Sequence, residues 1–234
     1  MIRLFVLYHD NESKKKAEEF TKSREEWALP VLLTPPTFLL EYYFFTNKMD
    51  YEDVKDFKWV GTVSYKVITK LGMDKIRLME KLMKDTIDNT ATHVLAFYGN
   101  TEFEKMGSRD DICHPGLTTL MKKVLELAGE EPHHIASIYS PSMKQFYSAY
   151  FVARPVWMFK FIEWFRKIII LLCVNIECHQ LCLQNSTYSP SSSYNEIAHR
   201  IYNLPYIPMY PFFCERMIPY FFHTRGANII VLPD

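Results

Sequence analysis

A Glu-Arg pair stands inside an aromatic run near the end of the chain. The run reads YPFFCERMIPYFF over residues 210–222, with Glu215 and Arg216 at its centre. Because burying an unpaired charge costs roughly several kcal/mol, such a pair either fixes the fold or does chemistry. A carboxylate can remove a proton from a substrate, and a guanidinium beside it can orient it or bind a phosphate. Taken alone, the pattern favours an ion pair that holds the fold together.

A second polar group follows the first strand-like segment. The sequence YHDNES places His9, Asp10 and Asn11 between an apolar run and a charged helical one. A strand end followed by a helix N-terminus can hold a phosphate through backbone N–H groups. Asp10 or Asn11 could equally cap the helix by accepting from those groups. The residues alone leave both interpretations open.

The segment SRDDICHPG, residues 108–116, carries acidic residues and a histidine. Asp110, Asp111 and His114 are ligand types for a divalent metal ion. Adjacent aspartate side chains usually diverge, however, so spacing alone favours a solvated loop.

The bulk composition limits the class of protein. The chain has 234 residues, is 48% hydrophobic and 15% aromatic, and so can form one large domain. Lys+Arg and Asp+Glu both number 27, which gives no electrostatic reason to expect a nucleic-acid partner. The 5 cysteines form no regular framework and no secretory segment opens the chain, so we expect reduced thiols and a cytoplasmic location.

The most apolar segment, residues 156–183, bears on membrane contact. Its uninterrupted apolar part, residues 168–174, is far shorter than the roughly 20 residues of a spanning helix. Helical spacing puts several large side chains on one face: Trp157, Phe161, Trp164, Phe165 and Ile168. We expect a buried helix and no transmembrane span, with peripheral membrane contact through the aromatic face as the alternative.

The elements that position these residues alternate between strand and helix. Strand-like segments are RLFVLYH, VLLT, residues 59–65 and THVLAFYGN; helix-like segments cover residues 12–27, 73–88 and 117–129. GEEPHHIA is read as a loop. The order predicts an α/β fold with a mostly parallel open sheet flanked by helices, and a helical, aromatic-rich second half. Ligands of such sheets bind at the carboxyl ends of strands, which brings YHDN and FYGN near the expected site.

Six segments, taken in order, resemble a glycosyltransferase family found in large DNA viruses, phages and bacteria. They are TPPTFLLEYYFF, VGTVSYK, HVLAFY, HPGLTTLMKKVLELAG, QFYSAYFVARPVWMFKFIEWF and YPFFCERMIPYFF. The resemblance extends over nearly the whole chain. It implies a GT-A-like fold and transfer of a sugar from a nucleotide-diphospho-sugar donor to a glycan or protein-linked acceptor.

The resemblance also implies roles for single residues. Glu215 is the first candidate for catalysis and Glu41 the second. Contacts with the donor are expected from six residues: His9, Asp10, Lys66, His114, Arg154 and Arg216. Asp110 and Asp111 are the candidates for holding Mn²⁺ or Mg²⁺. We expect one domain over residues 1–234, with a nucleotide-binding half to about residue 140 and an acceptor half after it.

Two departures from the family pattern support a competing function. No Asp-x-Asp motif follows HVLAFYGN, and Ala149 stands where the family frequently has Asn. The alternative is a catalytically degenerate domain that binds a sugar, a nucleotide or a protein partner.

Overall fold

The computed structural model describes residues 1–33, 40–97, 113–140, 143, 146–147, 149–187, 199 and 202–232. The described strands form one six-stranded sheet. They are β1 (Ile2–Tyr8), β2 (Ala28–Leu32), β3 (Trp59–Ser64), β4 (Val94–Ala96), β5 (Phe151–Ala153) and β6 (Ile229–Val231).

The sheet is mixed. Its strand order is β2-β1-β3-β5-β4-β6, and β1 pairs parallel with both β2 and β3, as β4 does with β6. Strand β5 lies between β3 and β4 and is antiparallel to both. The α/β prediction is therefore confirmed, whereas the mostly parallel sheet is not, because three of these strand pairings are parallel and two are antiparallel.

Helices cover both faces of the sheet. One face carries α1 (Asn11–Thr21) and α3 (Val67–Asp85), which bury Phe20 and Met79 against it. The remaining described helices are α2 (Tyr43–Asn47), α4 (Leu117–Leu127), α5 (Pro132–Ala136), α6 (Pro155–Val174), α7 (Ile176–Cys182) and α8 (Tyr210–Thr224). The buried side chains of α4, α6 and α8 pack together on the opposite face.

Strand alternation explains this layering. In β1, Leu4 and Val6 belong to the core under α1 and α3, while Leu7 belongs to the core on the other side. Successive side chains of a strand point to opposite faces, so a strand covered on both sides reads as a continuous apolar run. The segment RLFVLYH is such a run.

Gly61 allows β3 and β5 to lie side by side. A Cβ atom at this position would be 1.9 Å from the backbone oxygen of Phe151, so no side chain fits there. The Val-Gly-Thr-Val sequence of β3 is therefore a packing requirement of the sheet.

Three local predictions differ from the structure. Helix α1 ends at Thr21 and not near Trp27, because the chain must turn to bring Ala28 beside Leu4. Strand β2 accordingly begins at Ala28 and contains Pro30, which is tolerated in an edge strand. The segment expected to be a loop before a strand contains α5, with proline in its first turn.

Two helix predictions are confirmed. The amphipathic pattern of residues 73–88 falls on α3 as far as Asp85, where the helix ends. Helix α4 is followed by Gly129 at a φ of +76°, the left-handed conformation that glycine favours after a helix.

The aromatic face of α6 packs inward. Phe161, Phe165 and Ile168 are fully buried, which confirms the buried helix, and peripheral membrane contact stays a prediction. Among the helices in the described part of the chain, none has both the length and the apolar character to cross a bilayer.

Candidate functional site

The carboxyl ends of β1 and β3 bring His9, Tyr65 and Lys66 together. The two strands are parallel neighbours, with Leu7 in register with Ser64. The Tyr65 N–H donates to the carbonyl of Leu7 at 2.9 Å, which fixes the two chain ends beside each other. The imidazole of His9 lies edge-on to the Tyr65 ring, with the centroids 5.2 Å apart.

Asp10 caps the helix that follows β1. Its Oδ1 accepts from the Ser13 N–H at 2.7 Å, and the Ser13 hydroxyl interacts in return with the Asp10 backbone N–H at 2.9 Å. This capping box satisfies donors at the start of α1. Hydrogen bonds from the Ser13 backbone and side chain lower the pKa of Asp10. The capping interpretation is confirmed.

Tyr150 adds a buried hydroxyl to the same edge. Because β5 runs antiparallel to β3, its beginning lies at the end of β3. The hydroxyls of Tyr150 and Ser64 share a hydrogen bond of 2.5 Å. Burial raises the pKa of Tyr150 well above its usual range, so the phenol stays protonated. We call His9, Tyr65, Lys66 and Tyr150 the strand-end cluster.

Helix α8 supplies the Glu215–Arg216 pair. Arg216 Nη1 lies 3.1 Å from Glu215 Oε1, and the side chains are 5% and 16% exposed respectively. The Arg216 guanidinium also lies over the ring of Tyr147, with Cζ 4.8 Å from the centroid. The guanidinium is therefore held from two sides, while the carboxylate keeps some access to solvent.

Helix α8 does not end at its second proline. Proline inside a helix usually ends or kinks it, but α8 begins at Tyr210 and continues past Pro219 to Thr224. Packing explains this continuation, because Ile218, Pro219 and Tyr220 are all buried. Since proline has no N–H, Pro219 cannot make the usual helical hydrogen bond to the carbonyl of Glu215 four residues earlier.

Glu41 links the ion pair electrostatically to the strand-end cluster. It lies in a 3₁₀ turn, Leu40–Tyr42. Burial raises the pKa of Tyr42 well above its usual range, and the negative charges of Glu215 and Glu41 raise it further. The charge of Glu41 also acts to raise the pKa of Tyr65 and of Tyr150, in each case after burial. The two candidate catalytic carboxylates thus both act on Tyr42, and Glu41 alone also acts on Tyr65 and Tyr150.

Arg154 lies at the opposite end of β5. It follows Ala153, which is in register with Val60 near the start of β3. Its guanidinium lies 3.8 Å over the ring of Trp59. It donates to five backbone carbonyls, those of Lys58, Thr86, Ile87, Asn89 and Thr92. These contacts join several chain segments and do not bring Arg154 to the strand-end cluster.

His114 packs near the start of α8. Its Nδ1 is 2.9 Å from the carbonyl oxygen of Ser186, and its ring stacks on Phe212 with centroids 3.9 Å apart. The two predicted metal ligands beside it in sequence, Asp110 and Asp111, lie outside the described residues. Within the described ranges no group of three His, Cys, Asp or Glu side chains is arranged to hold a metal ion.

Ala149 lies in the interior. It is fully buried, and its carbonyl accepts a 2.6 Å hydrogen bond from the Thr62 hydroxyl of β3. An asparagine here would bring a buried amide that needs partners of its own. The departure from the family pattern therefore falls on a position beside the strand-end cluster, next to Tyr150.

Some residues of the site were not expected from the sequence. They are Tyr65, Tyr147 and Tyr150, together with two lysines, Lys16 and Lys70, that lie over Tyr65 and Tyr150. The one sequence signal that could have found any of these residues is a position near the end of a strand, and it applies to Tyr65. Tyr150 looked like part of a buried strand, and Lys16 like part of a solvated helix face.

Comparisons with known proteins identify no relative. Three comparisons, with protein-family models, with curated proteins and with solved structures, found no match. The glycosyltransferase resemblance therefore stays a prediction from the motifs, and the functional proposal depends on the geometry of the site.

Proposed function

We propose that this protein is a cytoplasmic glycosyltransferase with a GT-A-like fold. It would move a sugar from a nucleotide-diphospho-sugar donor to a glycan or protein-linked acceptor. The observation that carries the proposal is the position of Glu41, whose 3₁₀ turn contacts the helix of the Glu215–Arg216 pair and whose charge acts on Tyr65 and Tyr150 at the strand ends. The carboxyl ends of strands are where α/β sheets usually bind ligands.

Glu215 is the proposed general base. As the acceptor hydroxyl oxygen bonds to the anomeric carbon, its proton passes to the Glu215 carboxylate and the nucleoside diphosphate departs. Arg216, 3.1 Å from Oε1, keeps the carboxylate oriented, and the Tyr147 ring restrains the guanidinium. A buried arginine held in this way suits positioning of Glu215 better than movement toward a phosphate.

Glu41 is the second candidate for the base. Glu41 acts on Tyr42, as Glu215 does, and its 3₁₀ turn contacts α8. Mutation distinguishes the two candidates, because the base is the residue whose conversion to glutamine removes turnover while donor binding remains.

The strand-end cluster is the proposed donor side of the site. His9 and Lys66 follow the neighbouring parallel strands β1 and β3, and Asp10 stands beside His9, with Oδ2 3.2 Å from Nε2. Because Asp10 caps α1, its proposed role is to hold His9 in position. We assign no donor contact to Arg154, since its donors are directed to main-chain carbonyls, and the roles of His114 and of Mn²⁺ or Mg²⁺ at Asp110 and Asp111 stay predictions.

A thermal-shift panel tests the proposal first. The folded chain is heated with UDP-, GDP- and dTDP-sugars, each with and without Mn²⁺. A bound donor raises the midpoint because it stabilises only the folded state, by about 2.7 kcal/mol at a hundred times Kd. Release of free sugar or its transfer is then measured for the donors that bind. No shift and no turnover with any donor would contradict the proposal.

A binding module is the second candidate, and Ala149 favours it. A buried methyl group stands where the family frequently has an amide, one residue before Tyr150. A chain that lost a substrate contact there could bind a sugar nucleotide without turning it over. Donor binding in the thermal-shift panel, combined with neither hydrolysis nor transfer, would establish this second function.

A further inference from the structure

We propose that Lys16, Lys66 and Lys70 form the subsite that binds the diphosphate group of the donor. The identity of the ligand as a nucleoside diphosphate ester rests on the proposed function. Binding of a diphosphate by these lysines does not depend on the proposed function and has a test of its own.

The three ammonium groups surround two neighbouring tyrosine rings. The Nζ atoms of Lys16 and Lys66 lie 6.0 and 5.5 Å from the centroid of the Tyr65 ring. The Nζ atom of Lys70 lies 5.0 Å from the centroid of the Tyr150 ring. Tyr65 and Tyr150 are close enough for one to influence the titration of the other. Three ammonium groups therefore lie around the strand-end cluster, where the carboxylates of Glu41 and Asp10 also act on Tyr65.

Two separate helices bring the lysines together. Lys66 immediately precedes α3 and Lys70 lies four residues later, a spacing that places both side chains on one face. Lys16 comes from α1, which packs on the same face of the sheet. The cluster is thus a product of the tertiary fold and not of a run of basic residues.

The lysines are more open to a ligand than the other positive groups near the site. Arg216 is buried against Glu215 and Tyr147, and the start of α1 is capped by Asp10. The lysines are more accessible, since Lys16 and Lys70 are exposed and Lys66 is half-buried. A charged diphosphate at the strand ends would meet these ammonium groups first.

Glu12 is the competing anion. Its Oε1 lies 2.6 Å from Lys16 Nζ, and the two side chains are 81% and 52% exposed. The hydrogen bond that Lys16 donates to Glu12 raises the pKa of Lys16, while the charge of Lys66 acts in the opposite direction. Because an exposed ion pair of this kind contributes little stability, a phosphate oxygen can replace the Glu12 carboxylate.

Titration calorimetry with inorganic pyrophosphate tests the subsite. The full-length chain is used at low salt, with EDTA present. We expect Lys16→Ala, Lys66→Ala and Lys70→Ala each to weaken binding about tenfold, as for the loss of one charge-assisted hydrogen bond. Glu12→Gln should strengthen binding, because it removes the competing carboxylate. Lys15→Ala, a neighbouring exposed lysine of α1, is the matched control and should leave binding unchanged.

The outcomes separate this inference from the proposed function. Failure of the folded wild-type chain to bind pyrophosphate, or equal binding by the lysine variants and wild type, would overturn the subsite. Lysine-dependent binding of pyrophosphate without sugar transfer would retain the subsite and contradict the glycosyltransferase. Sugar transfer with a donor KM insensitive to the three lysine substitutions would retain the glycosyltransferase and contradict the subsite.

Discussion

The guanidinium of Arg216 lies over the ring of Tyr147, with Cζ 4.8 Å from the ring centroid, while its Nη1 reaches Glu215 Oε1 at 3.1 Å. Arginine suits this place because its planar group can stack on a ring and hydrogen-bond at its edge together. The relationship joins the segment before β5 to helix α8. It also makes the orientation of Glu215 depend on a residue 68 positions earlier in the chain.

Arg216→Lys tests whether this orientation matters. Lysine keeps the charge but loses the planar group, so we expect kcat to fall about tenfold or more while the donor KM changes little. Tyr147→Phe keeps the ring and serves as the control, with kcat close to wild type. Steady-state kinetics measure both constants. A fall in donor affinity with unchanged kcat would instead indicate that Arg216 binds phosphate.

Arg154→Lys should affect stability and not the donor. Lysine cannot reach the five carbonyls that the guanidinium joins, so we expect the free energy of unfolding to fall by about 2–4 kcal/mol. Urea unfolding measures this change. The donor KM of the folded variant should equal that of wild type. A raised KM with unchanged stability would place Arg154 at the donor.

Glu130 predicts a pH dependence of stability. Its carboxylate accepts from Arg225 Nη2 at 2.6 Å and from Trp164 Nε1 at 2.7 Å, and its side chain is 6% exposed. Burial acts to raise the pKa of Glu130, but these hydrogen bonds outweigh it and the pKa is lowered. A lowered folded-state pKa contributes stability above the unfolded value of 4.5, and that stability is lost as pH falls through the folded value.

Glu130→Gln tests this linkage. We expect the variant to lose about 3 kcal/mol at neutral pH, because Arg225 is left without its carboxylate. As the pH falls below 4.5 and through the lowered pKa of Glu130, the difference from wild type should shrink, since the wild-type carboxylate becomes protonated. Urea unfolding across this pH range gives the measurement, with the exposed neighbour Glu131→Gln as control. A difference that stays constant with pH would contradict the assignment.

Local patterns predicted the parts of the fold whose direction and length are set by nearby residues. The amphipathic stretch of α3, the Gly129 helix end and the strand before His9 are of this kind. The direction of β5 is not, because Phe151–Ala153 is a three-residue apolar strand that reads the same in either orientation. The end of α1 also escaped prediction. Residues 22–27 favour helix, but the Leu4 N–H pairs with the Trp27 carbonyl across the sheet.

The candidate site, like the fold, was predicted only in part from the sequence. Motif order led to His9 and Lys66, which lie at one edge of the sheet, and to Glu41 and Glu215, whose 3₁₀ turn and helix are in contact. The same motifs led to Arg154, which follows β5 directly but lies at the other edge because β5 is reversed. No spacing rule connects Lys16 to Lys70, since only the packing of α1 and α3 on one face brings them together.

Glu215→Gln tests the central claim most directly. The substitution keeps the size of the side chain and removes its basic carboxylate, so we expect donor hydrolysis or transfer to fall about 10²- to 10⁴-fold. The thermal midpoint and donor binding should change little, and Glu163→Gln on the exposed side of α6 is the matched control. A variant that keeps wild-type turnover, or one that fails to fold, would contradict the account and return Glu215 and Arg216 to the role of a fold-stabilising ion pair.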